Sequence, residues 1–209
     1  MDVIIANPPF GGVVSNNNEN NFPQTYRTKE SADLFLILMI HLLKDGGRAA
    51  IVLPDGSLSG EGVKQRIRQK LLEDCNLHTI VRLPNSVFQP YASVAANLLF
   101  FTKGEPTKHV WYYDHKLPEG YKAYSKTRPI QLAEFDTLKS WWADRETNDQ
   151  AWKVSVDTLK ADNYNLDIKN PRGSTADQKY SSVELLSLLQ DSFEKSDQLL
   201  RQLHKELEQ

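Results

Sequence analysis

Little in these 209 residues points to a covalent staple, a membrane or a strong charge. There is one cysteine, Cys75, so no intramolecular disulfide can form and no zinc-type cysteine set exists. A lone thiol fits a reducing cytoplasm. No apolar run reaches the roughly eighteen residues that a bilayer-spanning helix needs. The longest, Leu34 to Leu43, is broken by His41. No basic stretch leads into an apolar one at the start, so no secretory signal is read. Charge is nearly balanced, 25 Lys+Arg against 27 Asp+Glu. Contact with nucleic acid would therefore need basic residues gathered on one face or supplied by a partner. His41, His78, His109, His115 and His204 are scattered without ligand spacing, and no metal is expected. What remains, 40% hydrophobic and 25% charged, is ordinary globular composition.

Met1 and Asp2 precede the continuous apolar run Val3-Ile4-Ile5-Ala6, the pattern of a strand buried on both faces of a parallel sheet. A central strand in the first residues leads to the expectation of a fragment, or of a product that has lost its front half. Gly11 to Glu30 is polar and carries Asn16, Asn17, Asn18, Asn20 and Asn21. It lacks periodicity and reads as a long loop, of the kind that sits beside a site or stays disordered. Ser31-Ala32-Asp33 opens a helix from Leu34 to Lys44, with Asp33 as its start residue and Gly46-Gly47 as its stop. Arg48 to Leu53 is a second strand, closed by Pro54-Asp55-Gly56.

Gly62 to Cys75 reads as a charged amphipathic helix with Val63, Ile67, Leu71 and Leu72 on one face. Strands follow at His78 to Leu83, Ala92 to Thr102 and, shorter, His109 to Asp114. Trp111, Trp141, Trp142 and Trp152 suggest a peripheral packing layer within residues 1–160. Residues 161–182 read as linker around the turn Asn170-Pro171-Arg172-Gly173, and residues 183–209 as an amphipathic helix. Strands alternating with helices and closing in an antiparallel pair make an α/β sheet.

The chemistry lies in Asn7-Pro8-Pro9-Phe10, which ends the first strand. Residue frequencies give such a tetrapeptide by chance in about one of several hundred chains of this length. The carboxyl end of a sheet strand is where open α/β sheets bind ligands. An exocyclic amine on a nucleobase is a poor nucleophile, because its lone pair is delocalised into the ring. The Asn7 side-chain oxygen and the Pro8 carbonyl can each accept one of its two N–H groups and favour a more tetrahedral nitrogen. Two prolines fix φ on successive residues and hold that carbonyl without mobile side chains. Phe10 offers a face for a base to stack on. Such catalysis works by positioning and hydrogen-bond polarisation, and the base must leave the duplex to reach it.

Asn7-Pro8-Pro9-Phe10 is similar to the catalytic motif of adenine-N6 DNA methyltransferases that use S-adenosylmethionine. The chain downstream resembles the modification subunit of type I restriction-modification systems. The matching segments are Ala32-Asp33-Leu34-Phe35, Gly47 to Gly56, Leu83 to Phe88, Asn97 to Lys103 and Asn163 to Asp167. The resemblance implies the C-terminal half of a Rossmann-like methyltransferase sheet with a terminal antiparallel strand pair and a C-terminal helical extension. It implies Asn7, Pro8, Pro9 and Phe10 as catalytic residues, and Phe88 or, as a nearby substitute, Tyr91 as an aromatic beside the flipped base. Phe88 can equally be a core aromatic between strands, and for Tyr91 the reading without a role at the base is the favoured one. Double-stranded DNA, a specificity subunit and a restriction subunit are the implied partners.

The same resemblance marks what is missing. The family binds S-adenosylmethionine mainly through an earlier strand-turn-helix with a glycine-rich loop; no Gly-x-Gly is read here, and the glycine clusters Gly11-Gly12 and Gly46-Gly47 lie after the motif and at a helix end. The isolated chain is therefore expected not to methylate DNA. Rival readings are a noncatalytic truncated interaction module, and an amino-group methyltransferase acting on RNA or on protein glutamine. Arg27 and Lys29, in the loop after the motif, are candidates to reach DNA. Lys64, Arg66, Arg68 and Lys70 form either a phosphate-binding patch or a solvated helix face. Leu186, Phe193, Leu200 and Leu207, with Leu189 and Leu203, follow heptad spacing and make a seam for a partner helix or for the chain's own core.

Overall fold

β-Branched residues put the first apolar run into an extended strand, Val3–Ala6 (β1), in a computed structural model that describes residues 1–172 and, beyond them, residues 186, 187, 189, 190, 192, 193, 196, 197 and 201. The long loop that follows holds a short helix, Asn16–Glu19 (α1), and a 3-10 turn at Gln24–Tyr26. Then come Ser31–Leu42 (α2), Arg48–Pro54 (β2), Asp55–Leu58 (α3), Val63–Asp74 (α4) and Cys75–Arg82 (β3). Ala96–Lys103 (β4) and His109–Asp114 (β5) complete the central sheet. After a long excursion, Asp136–Ala143 (α5), Ala151–Ser155 (β6) and Val156–Ala161 (α6) follow.

The six strands lie in the order β1-β2-β4-β3-β5-β6. β1 and β2 are parallel, as are β3 and β5, while β4 runs antiparallel to both β2 and β3. Thus β1, β2, β3 and β5 all present their carboxyl ends at one edge of the sheet. β3 and β4 form the expected antiparallel pair but do not end the sheet, because β5 and β6 extend it. Val110, Tyr112 and Ala151 on those two strands are fully buried, which is the gain from the extension.

One face of the sheet is sealed by α2 and α4. Leu36, Ile37 and Ile40 of α2 and Ile67, Leu71 and Leu72 of α4 pack on Ile51, Leu53, Leu77, Ile80, Leu99 and Phe101. Each such side chain contributes about 1.5–3 kcal/mol by leaving water. The carbonyls at the end of α2 are capped from the sheet: Lys103 Nζ donates to Ile40 and Leu43 at 2.8 and 3.0 Å. On the other face Val81, Tyr113, Leu138 and Trp141 form a smaller cluster with Phe100 and Trp142. Trp152 is not peripheral. It is 2% exposed, joins the main core, and stacks on Tyr112 with ring centroids 5.2 Å apart.

Two further expectations are corrected. β1 is not buried on both faces: Ile4 and Ala6 reach the core, while Val3 at 54% and Ile5 at 81% exposed alternate onto the uncovered face. Asp33 does not start α2. The helix begins at Ser31, and Asp33 lies buried in its first turn.

The residues read as linker begin as packed chain. Leu166 is 1% exposed, its N–H donates to the Leu58 carbonyl at 2.8 Å, and its carbonyl accepts from Tyr112 Oη at 3.1 Å. Arg82 Nη1 lies 2.6 Å from Asp167 Oδ1. The chain divides into two units, 1–173 and 174–209. In the second, Leu186, Leu189 and Phe193 are helical and exposed. Leu200, Leu203, Leu207 and residues 173–182 lie outside the described residues.

Candidate active site

β1 delivers Asn7-Pro8-Pro9-Phe10 to the carboxyl edge of the sheet, beside the end of β2. Asn7 is exposed and Pro8 buried, so the side chain that would meet substrate faces out from a fixed base. Among the described residues the Asn7 amide makes no hydrogen bond, and the Pro8 carbonyl receives none of the turn and loop hydrogen bonds. Both acceptors that the chemistry needs are unspent.

Phe10 meets Phe88 edge-to-face, with centroids 5.2 Å apart and planes at 88°. Both are half-buried. Phe88 rides a tight turn in which its carbonyl accepts from the N–H groups of Tyr91 and Ala92. The turn is held from outside by Ser86, whose Oγ accepts from the Tyr124 N–H at 2.8 Å. Tyr124, 1% exposed, donates through Oη to Glu134 Oε2 at 2.5 Å, and His115 Nε2 stands 3.3 Å from the same hydroxyl. The excursion between β5 and α5 is thus tied to the aromatic turn. Tyr91, by contrast, is 89% exposed.

The loop after the motif is closed at its base. Ser31 N–H donates to Gly12 at 3.0 Å, Val14 N–H donates to Lys29 at 2.9 Å, and Ser31 Oγ donates to the Pro9 carbonyl at 2.9 Å. Arg27 turns inward, donating to the carbonyls of Phe22 and Asn20 at 3.0 and 3.2 Å. Lys29 is exposed.

Of the basic residues of α4, Arg66 is exposed, Lys64 and Lys70 are half-buried and paired, and Arg68 alone is buried. Lys64 binds Glu30 at 2.7 Å and the Gly56 carbonyl at 2.8 Å; Arg66 donates to Thr25, and Lys70 pairs with Asp74. Arg68 is 2% exposed and donates to the carbonyls of Ser57, Ser59, Gly60 and Tyr164. Burial lowers its pKa, and nearby Asp33 opposes that shift. Its spacing from Leu71 and Leu72 places it on the apolar face, and that was the signal available in the sequence.

Further along the same edge, Asp55, Arg82, Asn85, Asn97 and Asp114 line a polar cleft of about 340 Å3. Asn97 Nδ2 donates to Asp55 Oδ1 at 2.7 Å. Burial raises the pKa of Asp114, with Arg82 pulling the other way. A roomier cavity of about 700 Å3, lined by Phe22, Tyr26, Ile37, Leu38 and Lys70, includes none of the motif residues. Among the described residues no three His, Cys, Asp or Glu side chains gather as a metal site.

Among the described residues no strand runs through a Gly-x-Gly triplet into a helix, the turn expected to hold S-adenosylmethionine. Contrary to expectation the chain does hold a Gly-x-Gly triplet, Gly60-Glu61-Gly62, but it follows α3 rather than a strand. Its Gly60 carbonyl is already taken by Arg68.

A family model described as N-6 DNA Methylase matches residues 1–179. The chain is 53% identical over 211 residues to the type I restriction enzyme EcoEI methylase subunit of Escherichia coli, covering 97% of this chain and 43% of that protein. It is 37% identical over 150 residues to the StySPI methylase subunit of Salmonella potsdam, covering 66% and 27%. A crystal structure of a type I modification subunit from Vibrio vulnificus matches with a TM-score of 0.80 at 44% identity, over 86% of this chain and 40% of that one. The chain therefore spans less than half the length of these relatives.

Proposed function

Because this chain belongs to the N-6 DNA methylase family, we propose that it forms the target-base half of an adenine-N6 DNA methyltransferase of the type I restriction-modification kind. The observation that carries the reading is the pair of unspent acceptors, Asn7 Oδ1 and the Pro8 carbonyl, beside the Phe10–Phe88 contact. A flipped adenine would place its N6 amine against the two oxygens, which take one proton donor each and turn the nitrogen lone pair outward. Phe10 and Phe88 would give the ring its stacking surface and exclude water from one side.

S-adenosylmethionine would supply the methyl group. Its cradle would come from the part of the longer relatives that this chain does not cover, which we place before Asn7. The free edge of β1 suits such a complement: Val3 and Ile5 stand open, and with Ala50, His78, Phe100 and Trp142 they line an apolar hollow of about 320 Å3. An uncovered apolar edge strand is a pairing surface. Lys29 is the cation of the motif loop best placed for a DNA phosphate, and Arg27 stiffens the loop behind it. A specificity subunit would choose the DNA sequence and dock on the C-terminal seam, with a restriction subunit joining the assembly. The setting would be the cytoplasm, where the buried Cys75 stays a thiol.

Calorimetry tests the division of labour. S-adenosylmethionine titrated into this chain alone should give no binding heat. The same titration after adding the upstream part of the Escherichia coli relative should give a saturable isotherm. Saturable binding by this chain alone would contradict the proposal.

A further inference from the structure

We propose that Ser31 is a positioning residue for the catalytic turn, holding the Pro9 carbonyl so that Asn7 and Pro8 keep their oxygens aimed at the target amine. The inference rests on the reading of Asn7-Pro8-Pro9-Phe10 given above and deepens it. Ser31 opens α2 and is 6% exposed. Its hydroxyl donates to the Pro9 carbonyl at 2.9 Å and its N–H donates to the Gly12 carbonyl at 3.0 Å. One residue thus grips the chain on both sides of Phe10 and Gly11.

The proline rings fix φ at Pro8 and Pro9. The direction of each carbonyl then depends only on ψ, and a hydrogen bond on the Pro9 oxygen removes that freedom at the last residue of the pair. The hydroxyl is not spent on the helix, whose start shows no side-chain cap. Among the described residues its partner is Pro9 alone.

Gly12 is shaped to allow this reach. A Cβ there would stand 2.6 Å from Ser31 Oγ and 3.3 Å from Pro9 Cγ, so any larger residue pushes the hydroxyl off its acceptor. The start of α2 is itself fastened to α3, since Lys64 bridges Glu30 and the Gly56 carbonyl. The anchor that holds Pro9 is therefore tied to α3 and α4.

The test uses this chain joined in frame to the upstream region of its Escherichia coli relative, with duplex DNA and S-adenosylmethionine. Ser31→Ala should lower kcat roughly 10- to 100-fold, the scale expected for a small misplacement of a reacting group. KM for S-adenosylmethionine should stay within about twofold, because ground-state cofactor binding is untouched. Gly12→Ala should give the same loss, and the double variant should be no worse than either single one, since both break one hydrogen bond. An unchanged kcat for Ser31→Ala, or losses that multiply in the double variant, would overturn the positioning role. If Ser31→Ala fails to fold, the kcat of Gly12→Ala decides alone. Should the wild-type fusion transfer no methyl group, or Asn7→Ala leave it fully active, the reading of the turn itself falls.

Discussion

Phe10 and Phe88 meet edge-to-face at 5.2 Å, one from the loop after β1 and the other from the turn before β4. The contact joins two segments that share no secondary structure. It brings the one aromatic of the motif against the aromatic that family resemblance had matched to the base pocket. A base cannot stack between two rings already in contact, so it must stack on an outer face or part them.

A double-mutant cycle measures how firmly the segments are joined. Phe10→Ala and Phe88→Ala should couple by about 0.5–1.5 kcal/mol in urea unfolding of the chain, the usual worth of an aromatic pair beyond its buried area. Additive effects would show that the rings are neighbours without being partners. With 2-aminopurine as the target base, either change in the reconstituted enzyme should lower the extruded-base fluorescence.

Arg68 should be among the costliest residues to remove. Its guanidinium satisfies the carbonyls of Ser57, Ser59, Gly60 and Tyr164 in a buried position. Arg68→Met leaves those acceptors without donors and should cost about 3 kcal/mol or more. Urea unfolding checks it, and a loss below about 1 kcal/mol would place Arg68 on the surface instead. In the same way, a chain ending at residue 160 should be less stable than one ending at residue 172, since only the longer one supplies Leu166 to the core and Asp167 to Arg82.

Ile5 stands 81% exposed on a strand that, among the described residues, pairs on one side only. Ile5→Lys should leave the urea midpoint nearly unchanged, within about 0.5 kcal/mol, and reduce concentration-dependent self-association seen by light scattering. A large loss of stability would mean that Ile5 is packed in solution.

His78 should make stability rise with pH. Burial, aided by the neighbouring Arg145 charge, lowers its pKa from 6.5 to about 4. Between those values the unfolded chain takes up a proton that the folded chain refuses, so stability is lost as pH falls from 6.5 and the loss is complete below about 4. His78→Gln should flatten this part of the profile. Comparing urea midpoints of the two proteins at about pH 4.5 and about pH 7 isolates it from the other titrating groups. Equal pH dependence would remove the assigned cause.

The motif was legible because its information is local. Two prolines set the backbone of Asn7-Pro8-Pro9-Phe10 whatever surrounds it, and the strand before it announces the sheet edge. The α2 and α4 periods were legible for the same reason. The burial of β1 was not, because Val3-Ile4-Ile5-Ala6 reads alike whether one or both faces of the strand are covered. Arg68 and Asp33 were hidden by their charge, although both occupy core-facing helix positions. The packed stretch through Leu166 was hidden by its polar composition, since one leucine and a run of backbone and ion-pair contacts hold it. Ser86 and Tyr124 steady the Phe88 turn through a contact between distant segments, which no periodicity reveals.

The most direct measurement is methyl transfer from labelled S-adenosylmethionine to adenine N6 in duplex DNA. It compares this chain alone, the chain fused to the upstream region of its Escherichia coli relative, and that fusion carrying Asn7→Ala. A specificity subunit is present throughout. The chain alone should be inactive and the fusion active, and Asn7→Ala should cost about 100-fold or more in kcat, the scale of losing one polarising contact. Methyl transfer by the chain alone, or an Asn7→Ala fusion as active as its parent, would contradict the assignment of this chain as the target-base half.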